Sequence, residues 1–508
     1  MHIIFIIPIL KGLYYYLLML QLDHYKIKSC FNYLKKYYLH LPFTLVTYLS
    51  ILFIFKNSYL DLFVYIFILV FSLIKIKYII KLKLTKRMLR LLIINLILII
   101  LPFIFSFNKI TFLLVLYLIP FTIILSSILI YPFEYLINSY YKNKCTKKLN
   151  KINPFIVCIT GSFGKTSIKK MLHSIYQPYY ITSSTPRSFN TPMGITKHVL
   201  SNLNGLCDIF FVEAGATSIG DIKEITKMIN PDLGVITSIG PQHLSSFKSI
   251  DNVLKTKWEL AEGLKEDGKL VLNYGNKYLN GLTASNIKET LGVNKKYGTF
   301  YPRNITYNDL YTEFDIYSYD KKIIHIKTKL LGDHNIDNIV ICYGVKKMLD
   351  DKFYISDNDF KEAILNLTNI ENRLSLKEEN IDNVTFRYID DSFNSNVEGF
   401  VSACKVLKRL NGIKCIITPG IVDGGKYKES IALSIISSLD LLDDIVLVNN
   451  KELKYIKSIL NELKIKYKLV NSYKEGLSYL KNKYYDFKNE YINILIENDL
   501  PDNYLMRW

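Results

Sequence analysis

The hydrophobic pattern changes character near residue 140, and no single core can accommodate both sides of the change. Before that point Ile, Leu, Phe and Tyr dominate, in apolar stretches at roughly 3–21, 42–55, 59–74, 91–107 and 111–131. After it, short apolar runs alternate with helical patterns and glycine-containing turns, the pattern of an α/β protein. Half of the residues are hydrophobic while 21% are charged, which fits a very apolar part joined to an ordinary one. A chain of 508 residues also exceeds one ordinary core, so two or three domains are expected.

A membrane-spanning helix needs about 20 mostly apolar residues, with about 17 a working minimum. The stretches 42–55 and 59–74 fall short of this and suit a re-entrant hairpin. The first stretch is not a cleavable signal, because no small-residue cleavage site follows it and further apolar segments do. Lys26, Lys28, Lys35 and Lys36 follow the first stretch, seven Lys and Arg between Lys75 and Arg90 follow the third, and Lys142, Lys144, Lys147 and Lys148 follow the fifth. The alternate connections hold little more than Lys56 and Lys109. Cytoplasmic loops carry the excess Lys and Arg, so the N-terminus is expected outside and everything past residue 140 inside the cell. Asp61 is isolated and no acidic or Arg cluster marks an ion path, so the spans are expected to anchor rather than transport.

The net charge of +19 does not imply nucleic-acid binding here: the basic residues are dispersed, Lys, Asn, Ile and Tyr are all abundant, and lysines flank the apolar stretches. The seven cysteines (Cys30, Cys145, Cys158, Cys207, Cys342, Cys404, Cys415) are scattered and contain no C-x-x-C pair. Reduced thiols are expected, without a disulfide framework or a zinc site.

The most informative chemistry begins at Phe155–Thr160, a continuous apolar run that reads as a buried parallel strand. It leads into Gly161-Ser162-Phe163-Gly164-Lys165-Thr166-Ser167 and then a helical pattern. Strand, glycine loop and helix form a phosphate-binding device. Glycines admit the backbone amides to phosphate, the helix N-terminus adds its dipole, Lys165 reaches the terminal phosphates and Thr166 offers a hydroxyl to Mg2+. The loop is shorter than the general G-x-x-x-x-G-K-[ST] pattern. A second apolar run, Asp208–Glu213, places one carboxylate at a strand's C-terminal edge, where open α/β sheets bind ligands. Read alone, Glu213 also fits a surface charge, His243 a structural histidine, and Lys257 a solvated helix face.

Thr160-Gly-Ser-Phe-Gly-Lys-Thr166 resembles the T-G-x-x-G-K-[ST] loop of the Mur ligases of bacterial cell-wall synthesis, and further stretches follow in that family's order. Ser188–Gly194, with Asn190 and Thr191, resembles the loop that contacts the carboxylate-bearing substrate. Phe211–Ala216 resembles the strand that ends in a magnesium-binding Glu, here Glu213. Ile239–Leu244 resembles the segment with a magnesium-binding His, here His243. Lys255–Glu259 resembles the segment with a carbamylated Lys, implied to be Lys257, with Lys255 as the alternative one step away. Leu330–Asn338 resembles the G-x-H-N-x-x-N element whose asparagines contact adenine, here Asn335 and Asn338, which also fit helix caps. Arg373 stands where the family's third domain opens, or is a linker arginine. Tyr388–Asn396 resembles the D-D-x-Y-N-A-N motif of the D-alanyl-D-alanine-adding branch, which implies Asp391 near ATP and Asn394 and Asn396 in the cleft.

Ile416–Gly420, Asp444–Val448 and Ile492–Ile496 read as parallel strands of a smaller Rossmann-like domain. The expected architecture is therefore an α-helical membrane domain over 1–150, a P-loop parallel-sheet central domain over 151–371 and a C-terminal domain over 372–508. The resemblance implies an ATP- and Mg2+-dependent amide ligase that forms an acyl phosphate, with Lys165, His243 and Lys257 in catalysis. Its ATP contacts would be Thr160, Gly161, Ser162, Gly164, Lys165, Thr166, Ser167, Asn335, Asn338, Arg373 and Asp391. Its metal ligands would be Thr166, Glu213, His243 and Lys257, and its substrate contacts Asn190, Thr191, Asn394 and Asn396. The expected substrates are D-alanyl-D-alanine and a muramoyl-tripeptide precursor, UDP-linked or lipid-linked, at a bacterial cell membrane. Soluble Mur ligases begin with a small UDP-sugar-binding domain, whereas here the apolar segment abuts the phosphate loop. The end, Glu497–Asp502, departs from the family's K-G-S-R-type loop, which leaves the amine substrate open. Another amide ligase of the superfamily, an inactive nucleotide-binding scaffold and an ATP-driven transporter are the competing readings.

Overall fold

The structure is a computed structural model that describes residues 6–22, 25, 81–106, 109–186, 189–240, 247–309, 311–367, 374–392, 397–421, 428–450 and 453–497. The apolar stretches 42–55 and 59–74, and the lysines from Lys26 to Lys36 with Lys75 and Lys77, lie outside the described residues. The chain divides into two compact units, one built on the residues up to Tyr140 and the other running from Tyr141 to Leu500.

In the first unit the apolar runs form α1 (Ile6–Leu22), α2 (Lys86–Phe105) and α3, which begins at Lys109 and runs without a break to Ile152. Thr85 caps α2 by accepting the Met88 N–H at 3.1 Å. Leu13, Leu17, Met88, Leu91, Ile99, Ile119 and Ile123 pack into one core. Ile93, Ile97, Ile100 and Ile104 of α2 and Phe121, Leu125, Ile128 and Leu129 of α3 remain exposed. An apolar face of that extent is costly in water and marks a lipid or protein contact. Among the described residues two helices, Lys86–Phe105 and Leu118–Ile152, are long and apolar enough to cross a membrane. A polar seam joins them that the sequence pattern does not reveal. The Asn95 amide donates to Ser126 Oγ at 2.6 Å, and Arg90 pairs with the buried Glu134 at 2.5 Å.

The second unit opens on the last turns of α3. Cys145 and Leu149 are buried in the same core as Val199 and Phe210. Lys148 Nζ donates to the carbonyls of Val199 at 2.7 Å and Leu203 at 3.1 Å, and Lys142 pairs with Glu224 at 2.7 Å. Two of the lysines read as flanking a membrane span are therefore bound to protein groups.

The central sheet is six parallel strands: β1 (Phe155–Thr160), β2 (Thr182–Ser184), β3 (Ile209–Glu213), β4 (Leu233–Ile236), β5 (Lys269–Asn273) and β6 (Glu289–Val293). They lie in the order β2-β3-β1-β4-β5-β6. Its inner strands β1, β3 and β4 are mostly apolar because helices cover both faces: α4 (Lys165–Tyr176), α5 (Pro192–Asn202), α6 (Asp221–Ile229), α7 (Ile250–Glu262), α8 (Asp333–Leu349) and α9 (Asp357–Asn366). Phe210, Phe211 and Val212 are wholly buried, each side chain contributing about 1.5–3 kcal/mol by leaving water.

Between sheet and α8 comes an antiparallel sheet of β7 (Tyr301–Asn308), β8 (Tyr311–Ser318) and β9 (Lys321–Thr328). Its alternation is visible in β9, where Ile324, Ile326 and Thr328 turn inward between exposed neighbours.

The C-terminal sheet begins with a hairpin of β10 (Ser375–Ile381) and β11 (Val384–Asp391), turned at Asp382 and Asn383, both with positive φ. It continues with β12 (Ile413–Thr418), β13 (Asp444–Val448), β14 (Lys468–Val470) and β15 (Tyr491–Glu497), in the order β10-β11-β15-β12-β13-β14. All neighbours except the β10–β11 pair run parallel. Helices α10 (Val397–Arg409), α11 (Lys428–Leu439), α12 (Lys454–Glu462) and α13 (Tyr473–Lys483) complete it.

Arg387 on β11 is buried against Glu378 at 2.8 Å and Asp309, from the turn between β7 and β8, at 2.7 Å, and lies over the Tyr491 ring at 3.7 Å. Its two carboxylate partners are partly solvated, so they survive its removal better than a sealed pair would. Arg387→Ala is expected to cost about 1–3 kcal/mol, read as a lowered urea midpoint of the C-terminal domain's transition.

Candidate active site

β1 delivers the glycine loop to the C-terminal edge of the sheet, and α4 departs from it with Gly164 in the left-handed region at its N-cap. Gly161 has φ +145°, and a Cβ there would overlap Thr237 Oγ1 and the Ser238 backbone. The loop is laced to the segment after β4. Ser162 N–H donates to Ser238 O at 2.7 Å, Phe163 N–H to Ser238 Oγ at 3.0 Å, and Thr237 Oγ1 to Phe163 O. Ser162 Oγ is exchanged with the Gly240 backbone, and Thr160 Oγ1 donates to Ala214 O at 2.8 Å. Both of these predicted nucleotide contacts thus use their hydroxyls to build the loop. Lys165 folds back, its Nζ 2.8 Å from Gly161 O and 3.0 Å from Ser162 O. Ser167 is buried in the first turn of α4.

Glu213 ends β3 beside the start of α4. Its Oε2 accepts from Thr166 Oγ1 at 2.9 Å and Lys169 Nζ at 3.0 Å, and its Oε1 from Asn190 Nδ2 at 3.2 Å. Burial pushes this carboxyl up, but the Lys169 ammonium, helped by Lys165 and Thr166, outweighs burial and holds it below the usual carboxylate range. Asn190 is held twice, since its carbonyl also accepts from Gly215 N–H at 2.8 Å. A Cβ on Gly215 would come within 2.7 Å of the Asn190 amide carbon. Thr191 caps α5 through the Gly194 N–H at 3.2 Å.

On α7, Lys257 is buried, 3% exposed, while Lys255 faces solvent. Burial, with the Lys165 charge, lowers the Lys257 amine to about 7, against the pull of Asp221, Glu259 and Glu213. Glu259 caps α6 by accepting from Gly220 N–H at 2.7 Å and Lys223 N–H at 2.9 Å. Asn335 donates to Leu331 O at 2.7 Å within the first turn of α8, whereas Asn338 brings its Oδ1 close to Gly164. Asp391 closes β11 and accepts the Leu374 N–H at 3.2 Å. His243, Arg373, Asn394 and Asn396 lie outside the described residues.

Lys169, Thr185 and Thr237 were not singled out from the sequence. Lys169 stands four residues after Lys165, on the same face of α4, and that spacing is the signal that points to it. Among the described residues no three His, Cys, Asp or Glu gather as metal ligands. Magnesium does not require such a cage: it takes one or two protein oxygens beside nucleotide phosphate and water. The Thr166 hydroxyl and Glu213 carboxylate are oxygens of that kind at the mouth of a phosphate-binding loop, so the residues fit the ion.

Residues 159–346 match the profile of the Mur ligase middle domain. Its similar proteins include UDP-N-acetylmuramoyl-tripeptide--D-alanyl-D-alanine ligases. That of Buchnera aphidicola subsp. Baizongia pistaciae is 30% identical over 54% of this chain and 59% of the relative. That of Escherichia coli is 26% identical over 54% of this chain and 60% of the relative. The chain thus spans about three-fifths of these relatives' lengths. The fold is shared with MurF from Acinetobacter baumannii, at a TM-score of 0.61 and 20% identity over 71% of this chain and 77% of that one. It is likewise shared with Thermotoga maritima MurF in complex with ADP, at 0.62 and 21% over 71% and 80%.

Gly161→Ala is expected to lower nucleotide affinity at least about tenfold, because both the positive φ and the overlap with Thr237 displace the loop; isothermal titration with an ATP analogue reads this directly. The lowered Lys257 pKa makes a pH prediction as well. An amine at about 7 when folded and 10.5 when unfolded carries its burial penalty below pH 7 and sheds it as pH rises toward 10.5. Lys257→Met should therefore stabilise the protein most below about pH 7 and progressively less toward pH 10, measured by urea denaturation in carbonate-free buffer.

Proposed function

We propose that this protein is an ATP-dependent amide ligase that adds D-alanyl-D-alanine to a muramoyl-tripeptide precursor of the cell wall. The observation that carries the reading is the convergence, at one sheet edge, of a glycine phosphate loop, the Thr166–Glu213 oxygen pair and a buried Lys257 amine. The matched relatives act on those substrates, and a MurF of the same fold binds ADP.

The proposed reaction has two steps. The tripeptide carboxylate attacks the γ-phosphorus of ATP, ADP departs, and an acyl phosphate forms. The dipeptide amine then attacks the acyl carbon, loses a proton, and expels inorganic phosphate to leave the amide. Lys165 would exchange its loop carbonyls for phosphate oxygens, and the loop amides would offset charge on the transferring group. Thr166 and Glu213 would hold Mg2+, which supplies further charge neutralisation there. A buried Lys257 amine, lowered to about 7 and so about half neutral near pH 7, suits addition to CO2, so carbamylation at Lys257 belongs to the proposal. Asn190, at the head of the α5 loop, would meet the acceptor, and Asp391, with the residues after it, would approach when the C-terminal domain closes and excludes water.

The apolar faces of α2 and α3 support anchoring in a bacterial cell membrane, with the catalytic unit on the cytoplasmic side, and we extend this to a lipid-linked acceptor. The test is release of ADP and phosphate by the detergent-purified full chain, with dipeptide and UDP-linked or lipid-linked muramoyl-tripeptide supplied together and singly. Turnover should require both substrates, be faster with the lipid-linked acceptor, and fall at least about a hundredfold in Lys165→Ala. ATP binding without turnover on either acceptor would refute the ligase reading, and equal rates on both would refute the lipid-linked one.

A further inference from the structure

Lys169 takes no part in the chemistry just described, yet it is one of the two most deeply buried charges at the site. Its side chain and that of Glu213 are each 1% exposed, and Nζ lies 3.0 Å from Glu213 Oε2. Thr166 Oγ1 donates to the same oxygen. Thr185 Oγ1 lies 3.4 Å from Lys169 Nζ and accepts the Glu213 N–H at 3.3 Å, so one hydroxyl locates both ends of the pair. The other carboxylate oxygen, Oε1, receives the neutral Asn190 amide. The carboxylate is therefore asymmetric: Oε2 is committed to a cation and a hydroxyl, and Oε1 faces the loop that leads into α5.

That asymmetry has an electrostatic consequence. A divalent cation approaching Glu213 by itself meets a carboxylate whose Oε2 already carries an ammonium at 3.0 Å, in surroundings that screen little. Nucleotide phosphates bring the negative charge that offsets this repulsion. We propose that Lys169 is a positioning residue that holds Glu213 in place and suppresses binding of a free divalent cation, so that the site takes the cation together with nucleotide. This rests on the nucleotide-site reading above. It assigns Lys169 a task beyond structural pairing, because a purely structural pair would leave the preference for metal–nucleotide over metal untouched.

The probe is Mn2+, followed by electron paramagnetic resonance of the free ion, titrated into the full chain in detergent with and without a non-hydrolysable ATP analogue. Lys169→Gln keeps an amide donor for Glu213 but removes the charge. It should bind Mn2+ alone at least about tenfold more tightly than wild type, with a much smaller change for Mn2+ plus analogue. Lys169→Arg should behave as wild type. Unchanged or weaker Mn2+ binding by Lys169→Gln overturns the inference. Glu213→Gln gives an independent arm should Lys169→Gln fail to fold. It should weaken Mn2+–analogue binding at least about tenfold while leaving binding of Mn2+ alone unchanged. Equal weakening of both overturns the role of Lys169 while leaving the metal site intact. No effect on either removes the metal site from the proposed function, and the inference falls with it.

Discussion

The carboxylate of Glu213 is buried at the end of β3, and a buried charge must be compensated where it stands. Lys169, Thr166 and Asn190 compensate it from three directions, and each belongs to a different requirement of the site. Thr166 is part of the phosphate loop, Lys169 ties the second turn of α4 to β3, and Asn190 binds the loop before α5 to the same point. The net value of such a pair over an apolar substitute is small, but losing one partner alone costs about 3–5 kcal/mol. The interaction therefore does less for total stability than for registration. It fixes the helix, the strand edge and the α5 loop relative to one another.

Close backbone approach is the second constraint. Gly161 lets the loop lie against Thr237 and Ser238, Gly215 leaves room for the Asn190 side chain, and Gly164 lets Asn338 of α8 reach the start of α4. The C-terminal domain is held to the same scaffold by polar contacts at partly solvated positions. Arg387 meets Asp309, and Arg409 lies over Tyr307 while pairing with Asp333 at 2.8 Å. Partly exposed pairs of this kind are individually weak.

The unit before Tyr141 follows different rules. Its helices turn isoleucine, leucine and phenylalanine outward and bury Asn95, Ser126 and Glu134 between them. These polar contacts join helices that also share an apolar core. Charge counting along the sequence finds no acidic group of consequence there, since Arg90 and Glu134 are far apart in the chain and only the packing of α2 on α3 pairs them.

Much of this protein was legible in its sequence because the signals are local. The run Phe155–Thr160, the glycines at 161 and 164 and the Lys-Thr that follows specify strand, loop and helix within a dozen residues, and Asp208–Glu213 carries its own strand and its own carboxylate. The strands at 416, 444 and 492 were readable for the same reason. The antiparallel sheet Tyr301–Thr328 and the hairpin β10–β11 were not foreseen, since half-exposed antiparallel strands gain their stability from cross-strand neighbours that a linear reading does not supply. The burial of Lys257 beside an exposed Lys255, the ion pair at Lys169 and the use of the Ser162 and Thr160 hydroxyls inside the protein became visible only in the tertiary structure. The sequence by itself determined which chemical groups are present and what each stretch of backbone prefers. Which of those groups lose water, and which charge each then faces, depends on segments far apart in the chain packing together, and burial is a property of that packing alone.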